Sequence, residues 1–182
     1  MIFLLTLFNA GAQEVWFGGG LGFGFTVPQG DDKLYSHGTS FGEIKIIKNK
    51  SPFLAYYSSV THGQLTLAGR NWDWTNNITE VSIGIRSYNS KRRGFAEAGV
   101  LIGSFWSGNY SNSKTNESIS VDPKSPQIGF PLSIGARFGP LSFQYFYIYR
   151  VSDFRPTNNP ISNNPNRYSI KSTGAKVLIR LK

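Results

Sequence analysis

The chain contains no cysteine, which excludes structural disulfides, zinc–thiolate sites and thiol catalysis. Acidic residues are scarce as well: 10 Asp and Glu stand against 19 Lys and Arg, a formal charge of +9. A surplus of that kind suits nucleic acid, anionic headgroups or a basic rim. No basic stripe on a recognisable nucleic-acid module is visible, so the first of these is set aside. With two histidines, His37 and His62, and no metal-ligand spacing, no metal or cofactor is expected. Ser36, His37, Asp31 and Asp32 lie close together in sequence, but adjacency in a loop does not make a triad, and no enzyme is expected. Beyond the N-terminus no apolar run approaches the ~20 residues of a spanning helix. "GGGLGFGF" (18–25) fits no G-x-G-x-x-G register and precedes no helix pattern, so it is no phosphate loop.

What is present is glycine, aromatic residues and two-residue alternation. "EVWFGGGLGFGFTV" (14–27) sets Val15, Phe17, Leu21, Phe23 and Phe25 against Trp16 and four glycines. "PQIGFPLSIGARFG" (126–139) sets Ile128, Phe130, Leu132, Ile134 and Ala136 against Gln127, Gly129, Pro131, Ser133, Gly135 and Arg137. Similar segments at 41–48, 53–63, 79–88, 95–106, 141–151 and 169–182 bring the strands to eight, the register of 53–63 being unfixed. The connections alternate in length: 28–40, 64–78, 107–126 and 152–168 are long, whereas 49–52, 89–94 and 139–140 are short. Long loops gathered at one end mark an up-and-down membrane barrel with short periplasmic turns and long extracellular loops.

Two faces compete for the inside. The less apolar face is also the small one, with Gly18, Gly20, Gly22, Gly24, Gly84, Gly99, Gly103, Gly129, Gly135 and Gly174. Glycine weakens a solvent-facing strand but suits the concave wall of a narrow barrel. The other face carries Phe138, Phe143, Tyr145, Tyr147, Tyr149 and Trp106, in keeping with aromatic girdles. Lipid is therefore expected outside and polar side chains inside. Inward parity selects Glu14, Glu43, Glu80 and Glu97 with Lys45, Arg86, Arg137, Arg150, Lys176 and Arg180. Of these, Glu80, Arg86, Glu97, Arg137, Arg150 and Arg180 are the candidate lumen charge network, paired to avoid the cost of a lone buried charge. Trp72, Trp74 and Tyr110 are candidate loop contacts, either stacking on a sugar or anchoring at headgroup level.

"MIFLLTLFNAGA" resembles a secretory signal cut before Gln13, leaving 13–182 as one barrel domain. The dyad "IGFPLSIGARFG", the loop asymmetry and the "AGAQ" leader together resemble the small eight-stranded outer-membrane barrels of the OmpA/OmpX type. That resemblance implies a monomer in the outer membrane of a Gram-negative bacterium, surrounded by lipid, with a structural or surface-binding role through its loops. A narrow ion-conducting channel is the first alternative, and a secreted soluble β-barrel or sandwich binding a ligand or glycan is the second. Such barrels commonly end on an aromatic residue, whereas this chain ends "KVLIRLK".

Overall fold

The computed structural model describes residues 13–26, 35–68, 72–112, 114–121, 126–151 and 170–181. The expected leader 1–12, residues 28–34 of the expected loop 28–40, with Asp31 and Asp32, and the expected loop 152–168 lie outside them. Nine strands form one antiparallel sheet: β1 (Gln13–Thr26), β2 (Tyr35–Asn49), β3 (Leu54–Ala68), β4 (Trp72–Tyr88), β5 (Gly94–Asn112), β6 (Glu117–Val121), β7 (Gln127–Phe138), β8 (Leu141–Arg150) and β9 (Ile170–Arg180). Pairing of β4 with β5 and of β1 with β9 closes eight of them into an up-and-down barrel. The ninth, β6, pairs with the outer end of β5 and lies beyond the ring.

The ladder fixes the barrel's dimensions. From Gly20, paired residues run one way through Phe41, Gly63 and Ile78 to Phe105 on β5. The other way they run through Lys176, Gln144 and Gly135 to Phe95, ten residues away on the same strand. Eight strands with that stagger tilt by about 40° and enclose a radius of about 8 Å, room for side chains and little else. Glycines make the bulkiest of those side chains possible. A Cβ on Gly99 would stand 2.5 Å from the Tyr57 hydroxyl, and one on Gly22 or Gly174 would stand 2.9 or 2.8 Å from the Phe146 ring.

The turn end carries the connections 50–53, 89–93 and 139–140. Gly139, at φ 59°, followed by Pro140 fits the order of a II′ hairpin. Asn89 Oδ1 accepts from the amides of Arg93 and Gly94, and Ser51 Oγ accepts from Phe53 and Leu54. At the far end, two expected long loops prove to be largely strand. Residues 64–68 continue β3 and 72–78 belong to β4, while 107–112 and 117–121 form the β5–β6 hairpin.

Two irregularities serve the fold. Between Asn77–Ser107 and Ile78–Phe105 the β4–β5 register shifts, so Trp106 and Ser107 both face outward and Trp106 is 71% exposed. At Pro131 the β5–β7 ladder is interrupted between Ala98–Leu132 and Leu101–Gly129 without a change of register. Proline has no amide to donate there, so an open stretch in mid-barrel accommodates it.

Candidate functional site: a plugged lumen and an inverted far end

Along the lower barrel the outward face is greasy. Phe17, Ile44, Ile83, Ile102, Ile134, Phe143 and Ile179 are exposed, while their neighbours Glu43, Lys45, Ser82, Ser133, Ser142 and Gln144 are buried inside. Polar side chains inside and apolar ones outside make a membrane-facing wall.

Charge fills the middle of the lumen. Glu97 on β5 is the hub: its carboxylate accepts from Arg86 Nε (2.8 Å) and Nη2 (2.5 Å), Lys45 Nζ (2.9 Å) and Ser133 Oγ (2.6 Å). Arg86 and Glu97 are cross-strand partners, so the β4–β5 register alone brings them together. Lys45 reaches on to Glu43 at 3.2 Å, and Lys176 donates to Glu43 at 2.7 Å. Three cations thus share two carboxylates, with every member buried or nearly so. Two rings assist: the Arg86 guanidinium lies 3.9 Å from the centre of Phe95, and Lys45 lies 4.8 Å from that of Tyr57.

A second cluster spans the lumen. Arg150 on β8 donates to both oxygens of Glu80 on β4, at 2.8 and 2.9 Å, and to Ser172 at 3.1 Å. Ser172 in turn lies 2.9 Å from His37 Nε2. The histidine read as part of an outer loop is therefore buried, on β2 inside the barrel. Between the clusters lies a cavity of about 40 Å³, lined among others by Glu43, Lys45, Glu80 and Arg150, large enough for a few waters.

Apolar layers close both ends of this charged zone. Below it, Trp16, Ile47, Ala55, Tyr57, Tyr88, Phe95 and Leu178 form one cluster. Above it, Leu65, Leu67, Trp74, Ile78, Phe105, Tyr110 and Ile170 form another. Two of the six lumen candidates stand apart from the central network. Arg137 pairs at 3.1 Å with Glu14 at the turn end and stacks over Trp16, and Arg180, of inward parity, is exposed at the rim where the strand runs out. Glu43, Lys45 and Lys176 have inward parity too but were left out of that candidate set, and they complete the network.

Trp74 and Tyr110 are not loop contacts. They are 4% and 6% exposed and belong to the upper apolar cluster, because the strands that carry them continue above the greasy wall. Trp72 opens β4, and its side chain lies outside the described residues.

In this upper zone the polarity of the faces reverses. On β3 the outward residues run Tyr56, Ser58, Val60, then His62, Gln64 and Thr66; the inward ones run Ser59 and Thr61, then Leu65 and Leu67. Across the outer face of β3–β4–β5, side chains join in a polar ladder. His62 meets Thr79 at 2.8 Å, Gln64 donates to Asn77 at 3.2 Å, Thr66 meets Thr75 at 3.1 Å, and Asn77 donates to Ser107 at 2.8 Å. The upper barrel is thus built as a water-soluble barrel is, and the lower barrel is its inverse.

No protein-family model and no curated protein matches the sequence. Among solved structures, the fold is similar to that of Ail, the attachment invasion locus protein of Yersinia pestis. That match has a TM-score of 0.54 and 11% identity over 95% of this chain and 100% of that one. Ail in complex with the heparin analogue sucrose octasulfate matches with a TM-score of 0.51 and 11% identity over 93% and 97% of the two chains. Neisserial surface protein A, NspA, matches with a TM-score of 0.51 and 10% identity over 92% and 98%. The chain has the fold of the small eight-stranded outer-membrane barrels.

Proposed function

We propose that this chain is an exported outer-membrane barrel of a Gram-negative bacterium that serves as a rigid mount for a binding surface outside the cell. The single observation that carries this reading is the reversal of polarity along β3, β4 and β5. A soluble barrel has no reason to turn its faces inside out part-way along a strand, whereas a barrel leaving a bilayer must. The greasy wall is then the lipid zone, the turn end is periplasmic and the polar extension is extracellular.

The lumen is a plug in this reading and not a path. Among the described residues, apolar layers lie above and below the ion pairs, and the cavity between the two charge clusters is about 40 Å³. We read the role as binding rather than catalysis, since the close Ser–His pair found among the described residues, Ser172 with His37, is buried within the plug. Ail has been captured with a sulfated heparin analogue. The described polar ladder here is built mainly of uncharged donors and acceptors, Gln64, Thr66, Thr75, Asn77, Thr79 and Ser107, with His62 and the acidic Asp73 on the same face. A neutral, hydroxyl-rich partner such as a glycan suits it better than a polyanion.

The absence of cysteine makes a direct test available. On intact cells, an impermeant maleimide is expected to label Asn77→Cys, to label Ser90→Cys only after lysis, and to miss Ile83→Cys in both. Labelling of Ser90→Cys on intact cells would reverse the orientation, and a protein recovered soluble without detergent would end the membrane reading.

A further inference from the structure

The lipid-facing wall is not smooth. On its lower part, two rows of outward side chains cross from β2 to β5. One is Ile46, Ser58, Ile83 and Val100; the other is Lys48, Tyr56, Ile85 and Ala98, each residue directly paired with the next. Between the rows the wall at β4 and β5 is the bare backbone of Gly84 and Gly99, which are themselves paired. Small side chains at Ser58 and Ala98 deepen the hollow, and Ile46 is sunk in it, 6% exposed although it faces outward. The result is an apolar groove of about 530 Å³. It starts at Lys48, next to the turn-end terminus of β2, and slants inward to Ala98, four residues into β5. Four strands span about 14 Å across the sheet, and with the strands tilted by about 40° this carries the groove about 9 Å in depth, inside one bilayer leaflet.

Charge gathers where the groove opens. Lys48 stands in the groove itself and Lys50 follows in the turn, whereas Arg92 in the next turn is turned away from the wall, donating to Asn49 and lying 4.5 Å over the ring of buried Tyr88. Lys91 and Arg93 flank Arg92, both exposed. No acidic residue lies in the described turns 50–53, 89–93 and 139–140, and Lys48 has no ion pair among the described residues. A basic mouth opening onto an apolar slot that stays within one leaflet is complementary to an anionic headgroup with an acyl chain.

We infer that this groove holds an anionic phospholipid of the inner leaflet, its phosphate at Lys48 and Lys50 and an acyl chain lying over Gly84 and Gly99 towards Ala98. The proposal rests on the membrane reading given above. It names a site on the outer wall, separate from the lumen and from the extracellular face.

The full chain is refolded into nanodiscs of equal parts phosphatidylcholine and phosphatidylglycerol, released into detergent, and weighed intact with its retained lipid. Phosphatidylglycerol adducts are expected to dominate. Lys48→Gln with Lys50→Gln is expected to weaken that preference by about fivefold per lysine removed. Ala98→Phe, which fills the slot from the lipid side, is expected to remove retention of both lipids. Equal retention of the two lipids by the wild-type chain, a preference that survives the double lysine change, or a dimer with no lipid would each overturn the proposal. Every variant is also run boiled and unboiled on a denaturing gel. Loss of the migration shift in the wild type would overturn the membrane reading beneath the proposal, whereas an intact shift with no lipid preference would overturn the lipid site alone.

Discussion

Replacing Glu97 with Gln isolates the centre of the plug. The change keeps the shape and one acceptor, so Ser133 retains a partner, but it removes the negative charge shared by Lys45 and Arg86. Three buried cations, Lys45, Arg86 and Lys176, would then face Glu43 alone. Breaking one buried pair by removing a single partner costs about 3–5 kcal/mol. Since Arg86 loses its carboxylate and Lys45 one of its two, the upper part of that range, about 4–5 kcal/mol, is expected. Arg137→Gln provides the contrast: its pair with Glu14 lies at the turn end, 12% and 15% exposed, and Glu14 keeps the Trp16 indole N–H, so a smaller cost of about 1–3 kcal/mol is expected. The double change Glu97→Gln with Arg86→Gln removes one stranded cation and should cost less than the sum of its parts. Urea titration of the refolded protein in detergent, with the folded fraction read from unboiled gel migration, measures all three. Glu97→Gln within about 1 kcal/mol of wild type, or Arg137→Gln as costly as Glu97→Gln, would refute the account of the lumen as a charge-held plug.

Gly99→Ala would place a methyl 2.5 Å from the Tyr57 hydroxyl, and overpacking there is expected to cost about 1–3 kcal/mol. Gly38→Ala, with nothing within 4 Å of its Cβ, should be near neutral in the same titration. Leu65→Ala empties part of the upper cluster and is expected to cost about 2–5 kcal/mol; limited proteolysis should cut the extension first while the lower barrel stays protected. In planar bilayers the protein is expected to give no resolved conductance steps, because apolar layers close the lumen on both sides of the charges. Well-resolved steps altered by Glu80→Gln would revive the channel.

Where one face is apolar over the whole strand, the sequence is easy to read. β7 alternates because Ile128, Phe130, Leu132, Ile134 and Phe138 face outward, and β8 sets Phe143, Tyr145 and Tyr147 outward although apolar Phe146 is buried on its other face. β3 defeats the same reading for a physical reason. Its outward face changes from mainly apolar to polar after Val60 while its inward face changes from polar to apolar, so no single alternation runs its length. Leu65, Leu67 and Trp74 consequently read as loop residues although they pack a core. The charge network divides the same way. Parity marks Arg86 and Glu97, and the β4–β5 register makes them neighbours. Glu80 and Arg150 meet across the lumen from β4 and β8, strands with no shared ladder, and only the closed barrel shows that contact. Arg180 shows the limit of parity alone: it is in phase with the inner face, yet sits where the barrel has ended.

The central claim is that the greasy face of the lower barrel meets lipid while the same sheet, higher up, meets water. A fluorophore attached at Ile134→Cys, 62% exposed within the greasy wall, reports the first zone, and one at Asn77→Cys on the polar ladder reports the second. In vesicles of lipids brominated along their chains, the probe at position 134 should be quenched by the bromines and shielded from aqueous iodide, with the reverse at position 77. Iodide quenching at both positions, with no effect of bromine, would contradict the account and make the exposed apolar wall a surface in water.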